Sequence, residues 1–491
     1  MNKIIKVFFV IFPALFFSIF LLMLAKGIGS FEHPIMKDIF LILAFMILLA
    51  IILSRYIIRR NKQLNIKILT ITFFAIIFAF NIICALKLSG FIQPVSDFEI
   101  AYNKANSFYT DSQYDLYYPW WTNFSIFLGI IFKIFNSSGV TVAIMNSIFS
   151  TLSSIIIFFI AKKHLKLGQI FSFFPSLLFS FYPSRIFFLP FVAPDFIAEF
   201  GFVFISYLFF DYLDIFPSKN TSKKTLIYPV LISLLVFFFS LFKPMQEIFL
   251  VLFLIILFIK SFPNLRSYFK KIAYFGLVFI CVTFGANFIH AKLFKSYTGI
   301  NLNKNLILMN KLYVGLNSEG KGYWNPINEK YIDYLEKTYG SNTQQISQAM
   351  KDKLISNIKQ NHQLPNMIIN KLDTAFVSDF YGIEWVNISL KSGRMDLNKL
   401  RRPIYISNLY YYLILLFALI SVINIIKTRD LKKIYFIVFI LGFTSVVLIG
   451  ESQTRYKLAF LFNFIFLASI GIKLIFDSNI LQKTKDFLKN V

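Results

Sequence analysis

Cysteine and histidine are nearly missing from this chain, with 2 Cys and 4 His among 491 residues. Cys84 and Cys281 both lie in apolar stretches, so neither a disulfide framework nor a cysteine metal centre is supported. His33, His164, His290 and His362 show no ligand spacing, and the sequence requires no metal or other cofactor. Charge is also scarce: 15% of residues are charged, against roughly 25% in soluble domains. A soluble enzyme is excluded on that ratio. There is no G-x-x-x-x-G-K-[ST] phosphate loop and no soluble dinucleotide-binding segment, so nothing points to a nucleotide-bound substrate.

What the chain has in excess is apolar and aromatic, including 64 Phe and 25 Tyr, with 57% hydrophobic residues overall. A net charge of +26 would suit nucleic acid, but the basic residues gather in short turns between apolar runs. That is the orientation signal of membrane insertion, with some attraction to anionic lipid. Twelve segments approach the about 20 apolar residues a spanning helix needs: 4–25, 38–54, 66–87, 140–160, 168–184, 195–213, 225–242, 246–260, 272–289, 405–426, 434–449 and 456–475. The first is read as a retained span, because its apolar run is long for a cleaved leader and lacks a small-residue cleavage site.

Five basic turns fall on one side if all twelve segments span and both termini are cytoplasmic: Arg55 to Lys67, Lys162 to Lys166, Lys219 to Lys224, Lys260 to Lys271, and Lys427 to Lys433. Counting residues 122–135 as a further span would break this alternation. They are therefore expected to form an outer-leaflet or re-entrant helix anchored by Trp120 and Trp121. The expected fold is an all-α polytopic protein of the plasma membrane, with juxtamembrane helices and a mainly helical extracytoplasmic region. Its expected divisions are a membrane domain 1–289 with a first large external loop 88–121, an external region 290–404, and closing membrane helices 405–491. Within the external region, helical spacing covers 327–339 and 343–361, the second capped from Ser341-Asn342 or Thr343.

Loop 88–121 opens with Ser96-Asp97-Phe98-Glu99. Ser96 and Glu99 fit a capping box, while Asp97 in the first turn is favoured by the helix dipole alone. The competing reading is chemical: one carboxylate at the membrane's outer edge serves as a base. Two residues apart on a helix, Asp97 and Glu99 point in different directions, so one base and not a dyad is implied. Tyr114, Asp115, Tyr117, Tyr118, Pro119, Trp120 and Trp121 follow as an aromatic cluster, which suits either an interfacial belt or a sugar face.

Later external turns carry further candidates. Arg185 and Asp195 stand at span edges, where a charge either snorkels to water or lines a site. Lys243 and Glu247 either pair with each other or line a polar cavity. The last turn, Glu451-Ser452-Gln453-Thr454-Arg455-Tyr456-Lys457, places two cations against the usual bias. A bound phosphate explains them, and so does a local Glu451–Arg455 salt bridge.

Three spaced features resemble the GT-C membrane glycosyltransferases, in particular the dolichyl-phosphate-mannose protein mannosyltransferase-like (family 39-like) branch and its bacterial relatives. They are Ser96-Asp97-Phe98 with Tyr118-Pro119; Tyr182-Pro183-Ser184 with Pro194-Asp195; and Glu451 with Arg455-Tyr456. The stretch Tyr313 to Gly322 also looks like relatives from Gram-positive bacteria. The resemblance implies a polyprenyl-phosphate sugar donor and transfer to an extracytoplasmic glycan, lipid or protein. It further implies Asp97 as base with Glu99 the lesser candidate, Arg455 at the donor phosphate, and inversion at the anomeric carbon. Lys457, Arg185 and Lys243 are expected as helpers at the phosphate, with Tyr118, Asp195, Glu247, Glu451 and Tyr456 lining the substrate. A divalent metal on Asp97 and Glu99 is conceivable but unsupported.

The sequence departs from the family in two places: the acidic loop follows the third span, and the family's His/Tyr-Pro-Pro stands as Tyr118-Pro119-Trp120. The rival readings are a lipid-linked polysaccharide transporter or flippase, which needs polar residues near the midplane of several spans, and a polysaccharide polymerase or ligase. A non-catalytic scaffold is the third.

Overall fold

A computed structural model of the chain describes residues 3–29, 66–107, 116–169, 171–216, 223–317, 319, 322–340, 342–360 and 364–477. The expected span 38–54, the basic turn Arg55 to Lys62, and Tyr114 and Asp115 lie outside the described residues. Regular structure among the described residues is helical apart from one antiparallel bridge, Ile92 with Leu390.

The helices are α1 (Lys3–Gly29), α2 (Ile66–Ser89), α3 (Asp97–Ser107), α4 (Pro119–Phe135), α5 (Gly139–Phe159), α6 (Phe173–Ser180), α7 (Pro183–Phe188), α8 (Asp195–Ile215), α9 (Lys223–Ser240) and α10 (Gln246–Ser261). They continue with α11 (Leu265–Thr298), α12 (Lys304–Leu316), α13 (Pro326–Tyr339), α14 (Thr343–Gln360), α15 (Leu364–Phe376), α16 (Tyr381–Ile388), α17 (Leu397–Thr428), α18 (Leu431–Ile449) and α19 (Leu461–Asp477).

Among the described residues, nine helical stretches are long and apolar enough to cross a membrane: Val7–Ile28, Lys67–Ser89, Gly139–His164, Asp195–Ile215, Lys223–Ser240, Leu265–Thr298, Asn398–Thr428, Leu431–Ile449 and Thr454–Asp477. The protein is thus a multi-pass, all-α membrane protein. Each stretch coincides with an expected span. Two other expected spans differ from a plain long helix. Segment 246–260 is α10, with 16 residues. Segment 168–184 is broken into α6 and α7 at Tyr182-Pro183, because Pro183 has no N–H to continue the first helix and instead opens the second.

Broken backbone inside an apolar bundle survives only where protein satisfies it. Here the Asn146 amide donates to the Leu189 and Phe191 carbonyls, both at 2.8 Å, and residues 188–199 are buried. The broken segment runs from Phe171, whose ring meets that of Phe476 edge-on near the end of α19, up to Asp195 at the start of α8.

Helices α1, α2, α9, α11 and α18 finish at one end of the bundle, where α5, α8, α10, α17 and α19 begin. This is called the near end. The far end carries the basic turns, tied across helices by Lys163–Asp211 and Lys432–Asp214, each 2.6 Å. Helix α4 starts beside the near-end cluster of Phe98 and finishes beside Tyr102, just before α5 begins at the same end. It therefore lies along the near end and does not cross.

The stretch containing α19 is the most enclosed, while α2 and α11 are peripheral, with Leu277, Phe284 and Phe288 of α11 facing outward. Gly471 lets α17 and α19 touch backbone to backbone: a Cβ there would sit 1.9 Å from the Phe417 carbonyl oxygen.

Helices α12 to α16 cap the near end. Their small core of Leu306, Ile332, Leu335, Ile346 and Met350 closes onto Tyr117. A core of that size needs support, and the cap is fastened to the bundle by polar contacts. Lys371 donates to the Gly315 and Leu448 carbonyls at 2.7 and 2.8 Å, Lys26 pairs with Asp373 at 2.9 Å, and the Tyr411 and Tyr412 hydroxyls donate to the Phe376 and Val377 carbonyls.

Candidate functional site

Asp97 is the first residue of α3, and the chain reaches it through a forced turn. Gln93 donates to the Ser389 carbonyl and Lys391 to the Phe91 carbonyl, clamping the approach against the end of α16. Ser96 then takes a left-handed φ of 54°, a conformation costing an ordinary residue about 1–2 kcal/mol. The start of α3 is closed by backbone, with Glu99 and Ile100 donating to the Ser96 carbonyl at 3.0 and 3.1 Å. An N-cap serine needs extended backbone, so the expected Ser96–Glu99 box gives way to this turn.

Phe98, fully buried, fixes the helix start. Its ring lies 4.9 to 6.0 Å from those of Trp385, Phe191, Phe188 and Trp121. Packing Phe98 inward turns Asp97 towards the cavity and leaves Glu99 exposed, away from the cavity wall.

Arg455 meets Asp97 there. Its Nη2 lies 3.1 Å from Oδ2 of Asp97 across 358 residues of sequence. The guanidinium carbon is held 5.5, 5.8 and 5.6 Å from the rings of Phe98, Trp121 and Trp385. Such rings attract a cation and hold a planar group in one orientation. Nη1 of Arg455 is buried and has no hydrogen-bond partner among the described residues. Glu451 does not close a local bridge to Arg455. Its carboxylate accepts from the Tyr456 hydroxyl at 2.9 Å and from the Gln453 amide, and burial raises its pKa.

The other expected phosphate contacts lie elsewhere. Arg185 is fully buried in the bundle, 2.7 Å from Glu199 and 2.9 Å from the Ser150 hydroxyl. Ser150 in turn accepts from Asn81 at 2.9 Å, so one polar network joins α2, α5, α7 and α8. The charges are thus not confined to span ends, although this enclosed pair opens no pathway.

Lys457 is buried 3.7 Å from Asp379 and donates to the Ser378 carbonyl; burial pushes Asp379 up to about 6. Lys243 pairs with Asp195 at 2.6 Å and not with Glu247, and sits 5.2 Å over the Tyr456 ring beside the cavity. Glu247 is exposed on α10. Near it, Lys311 lies 4.5 Å over the Trp120 ring, and burial lowers its ammonium to about 8 despite Glu247 and Glu451.

A cavity of about 800 Å³ opens between cap and bundle. Of the sequence candidates, Asp97, Arg455, Tyr118, Glu451 and Tyr456 line it; Glu99, Lys457, Arg185, Lys243, Asp195 and Glu247 do not. Sequence reasoning missed Tyr381, Glu384 and Trp385 from α16, and Glu329, Asp333 and Glu336 from α13, all on the cavity wall. The signal for the last three was their spacing of four and three residues, which places them on one helix face.

Asp97 lines the cavity and Glu99 is exposed away from its wall. Among the described residues, the cluster spaced for a metal is His164, Asp211 and Asp214 at the far end, already crossed by Lys163 and Lys432.

Fold and cavity together define a class: a polytopic helical membrane protein with a capped cavity at one end, containing an aspartate–arginine pair. No family model matches the sequence, and no curated protein matches it. Similar solved structures include the oligosaccharyltransferase AglB of Archaeoglobus fulgidus in complex with an inhibitory peptide and a dolichol-phosphate, at 13% identity and TM-score 0.44. The apo form of the A. fulgidus oligosaccharyltransferase gives 11% and 0.46. In both comparisons 84% of this chain is covered against 52% of the other, so the chain spans about half the length of these neighbours. A likeness at that level does not bear on the reaction.

Proposed function

We propose that this protein is an integral-membrane glycosyltransferase that moves a sugar from a polyprenyl-phosphate donor to an extracytoplasmic acceptor. The observation that carries the reading is the approach of Asp97 to Arg455 within one cavity at the near end. Basic turns collect at the opposite end, which supports a cytoplasmic far end with both termini, and a near end open to the outside of a plasma membrane.

In the reaction, the acceptor hydroxyl oxygen bonds to the anomeric carbon while Asp97 takes its proton. The bond from that carbon to the donor phosphate breaks, and its electron pair leaves on the phosphate oxygen. General-base help of this kind contributes about 10²–10⁴-fold. Arg455 offsets the charge growing on the phosphate, and its unpartnered Nη1 supplies a donor already desolvated and aimed. The aromatic rings around the guanidinium keep that donor in place before the lipid arrives. Lys243, beside the cavity and paired with Asp195, offers a second cation. One displacement of this geometry inverts the anomeric centre.

Membranes containing the protein are to be given a panel of labelled prenyl-phosphate sugars, with transfer to endogenous acceptors counted against Arg455→Met. One sugar of the panel should be transferred and the variant should fail to bind it. If no prenyl-phosphate sugar binds the parent protein, the reading falls.

A further inference from the structure

Arg455 reaches the cavity from a single 3-10 helix, Thr454–Phe460. At three residues per turn, side chains two apart leave on different faces. Arg455 accordingly lines the cavity, while Lys457 does not; it runs inward, 1% exposed, to Asp379. The roll of this short helix about its axis therefore decides where the Arg455 guanidinium points.

The tethers on the two sides of Arg455 differ in kind. Before it, neutral hydrogen bonds hold the chain to α15: the Ser452 hydroxyl donates to the Lys371 carbonyl at 2.9 Å and the Thr454 hydroxyl to the Thr374 carbonyl at 3.0 Å. After it, the hold is that of a buried cation. The Lys457 ammonium lies 4.2 Å over the Tyr411 ring, donates to the Ser378 carbonyl and faces the Asp379 carboxylate at 3.7 Å.

Asp379 is rigid everywhere except at its charge. Its N–H donates to the Asn408 side chain at 2.6 Å, and its carbonyl accepts from the Ser184 and Ser407 hydroxyls at 3.0 and 2.6 Å. The carboxylate is fully buried, and neither of its oxygens has a hydrogen-bond partner among the described residues. A charge-assisted hydrogen bond is about 2.7–2.9 Å long, so Lys457 holds this anion by charge alone. Burial without hydrogen bonds favours the neutral acid, and the Asp379 carboxyl is pushed up to about 6.

The titratable groups around that carboxyl are Lys457 from the 3-10 helix, Tyr381 from α16, and Tyr411 and Tyr412 from α17. Tyrosines are neutral in mild acid. Beyond Tyr381, Glu199 is paired with Arg185 and Asp195 with Lys243. On the cavity wall, burial also raises Glu384 and Glu451.

Building on the glycosyl-transfer reading, we infer that Asp379 is a positioning residue of the donor site: as an anion it holds Lys457 inward and so aims Arg455 at the donor phosphate, and on protonation it gives up that aim. Apparent affinity falls with the fraction of molecules in the competent state. One pH unit below the Asp379 midpoint about a tenth of molecules keep the anion, so the donor should bind about tenfold more weakly.

The whole chain in nanodiscs is titrated from pH 5 to 8 with the labelled prenyl-phosphate sugars of the panel, whose phosphodiester keeps one negative charge throughout. Donor affinity should be level from pH 8 to 7 and about tenfold lower at pH 5. In Asp379→Asn it should be low and level at every pH. Asp379→Asn/Lys457→Met removes both buried charges, which guards against misfolding, and should also lack the step; Glu451→Gln should keep it. A second measurement needs no donor. The chain's four tryptophans are Trp120, Trp121, Trp324 and Trp385, and all stand on the cavity wall or beside Arg455. Their emission in the ligand-free parent should shift with a midpoint at about pH 6, and not in Asp379→Asn. Donor affinity that is flat from pH 5 to 8 in the parent overturns the positioning role, as does a step in affinity or emission that survives in Asp379→Asn. A lower melting temperature in Asp379→Asn with unchanged donor affinity overturns it too, because the pair is then structural only. If the emission shifts as expected but no prenyl-phosphate sugar binds the parent, the transferase reading falls and the coupling of Asp379 to the cavity stands.

Discussion

Replacing Asp97 with Asn keeps the side chain's shape and removes its charge, which separates two roles of one carboxylate. As the base, its loss should lower transfer by about 10²–10⁴-fold, or about 2.7–5.5 kcal/mol on the barrier at 1.36 kcal/mol per decade. As the partner of Arg455, its loss should act in the opposite direction on donor binding. At 3.1 Å between the charged atoms the attraction is roughly 5 kcal/mol for an effective dielectric of 20. Asp97 is 31% exposed, and solvent screening with desolvation reduces the net coupling to about 1–2 kcal/mol. A donor phosphate no longer competes with a carboxylate for the guanidinium, so its affinity should rise by about 5–30-fold. Single-turnover transfer and equilibrium binding of the same labelled prenyl-phosphate sugar read the two effects separately. Near-parental turnover in the variant refutes the base assignment. Donor affinity that collapses together with turnover refutes the competition between carboxylate and phosphate.

Other parts of the framework can be probed directly. Arg185→Leu should cost about 3–5 kcal/mol by leaving Glu199 buried and unpaired, and Arg185→Leu/Glu199→Leu should recover much of the thermal stability lost. Phe98→Ala should cost about 3–5 kcal/mol and lower transfer more than donor binding, since the start of α3 loses its anchor; comparing melting temperature with kcat checks both. In Gly315→Ala the new Cβ would meet the Gly450 carbonyl carbon at 2.3 Å. Overpacking of about 1–3 kcal/mol should therefore move the Glu451 to Arg455 turn, seen as weaker donor binding.

Burial lowers Lys371 to about 8 from 10.5. Between those values the unfolded chain keeps a proton that the folded protein has lost. Stability should therefore climb as pH rises from about 8 to 10.5, by roughly 3 kcal/mol for this group, and the climb should flatten in Lys371→Met.

The parts legible in the sequence are those that local patterns encode. Apolar runs and basic turns gave nine of the spans, because the bilayer imposes length and charge bias directly. Helices α13 and α14 fall at the expected 327–339 and 343–361 within a residue or so, with Asn342 accepting from the Gln345 N–H as a cap. The closeness of Asp97 and Arg455 draws on two residues that stand against their surroundings in the sequence: one an acid beyond a greasy span, the other a cation in a turn that the charge bias expects outside.

Partnerships between elements were not legible. Lys243 passes over Glu247, four residues away, for Asp195 at a distance of 48. Arg185 turns inward to Glu199, when its position at a span edge suggested either water or a site. Spacing reports which residues share a helix face, but not what the fold brings to face it, and for that reason the α13 acids were not singled out.

The 358 residues between Asp97 and Arg455 set an order of events during synthesis. The aspartate is made early, and its arginine follows 358 positions later. Until the arginine has been made the carboxylate lacks this partner, so no earlier intermediate assembles the pair. The pair is completed only by the turn that follows α18.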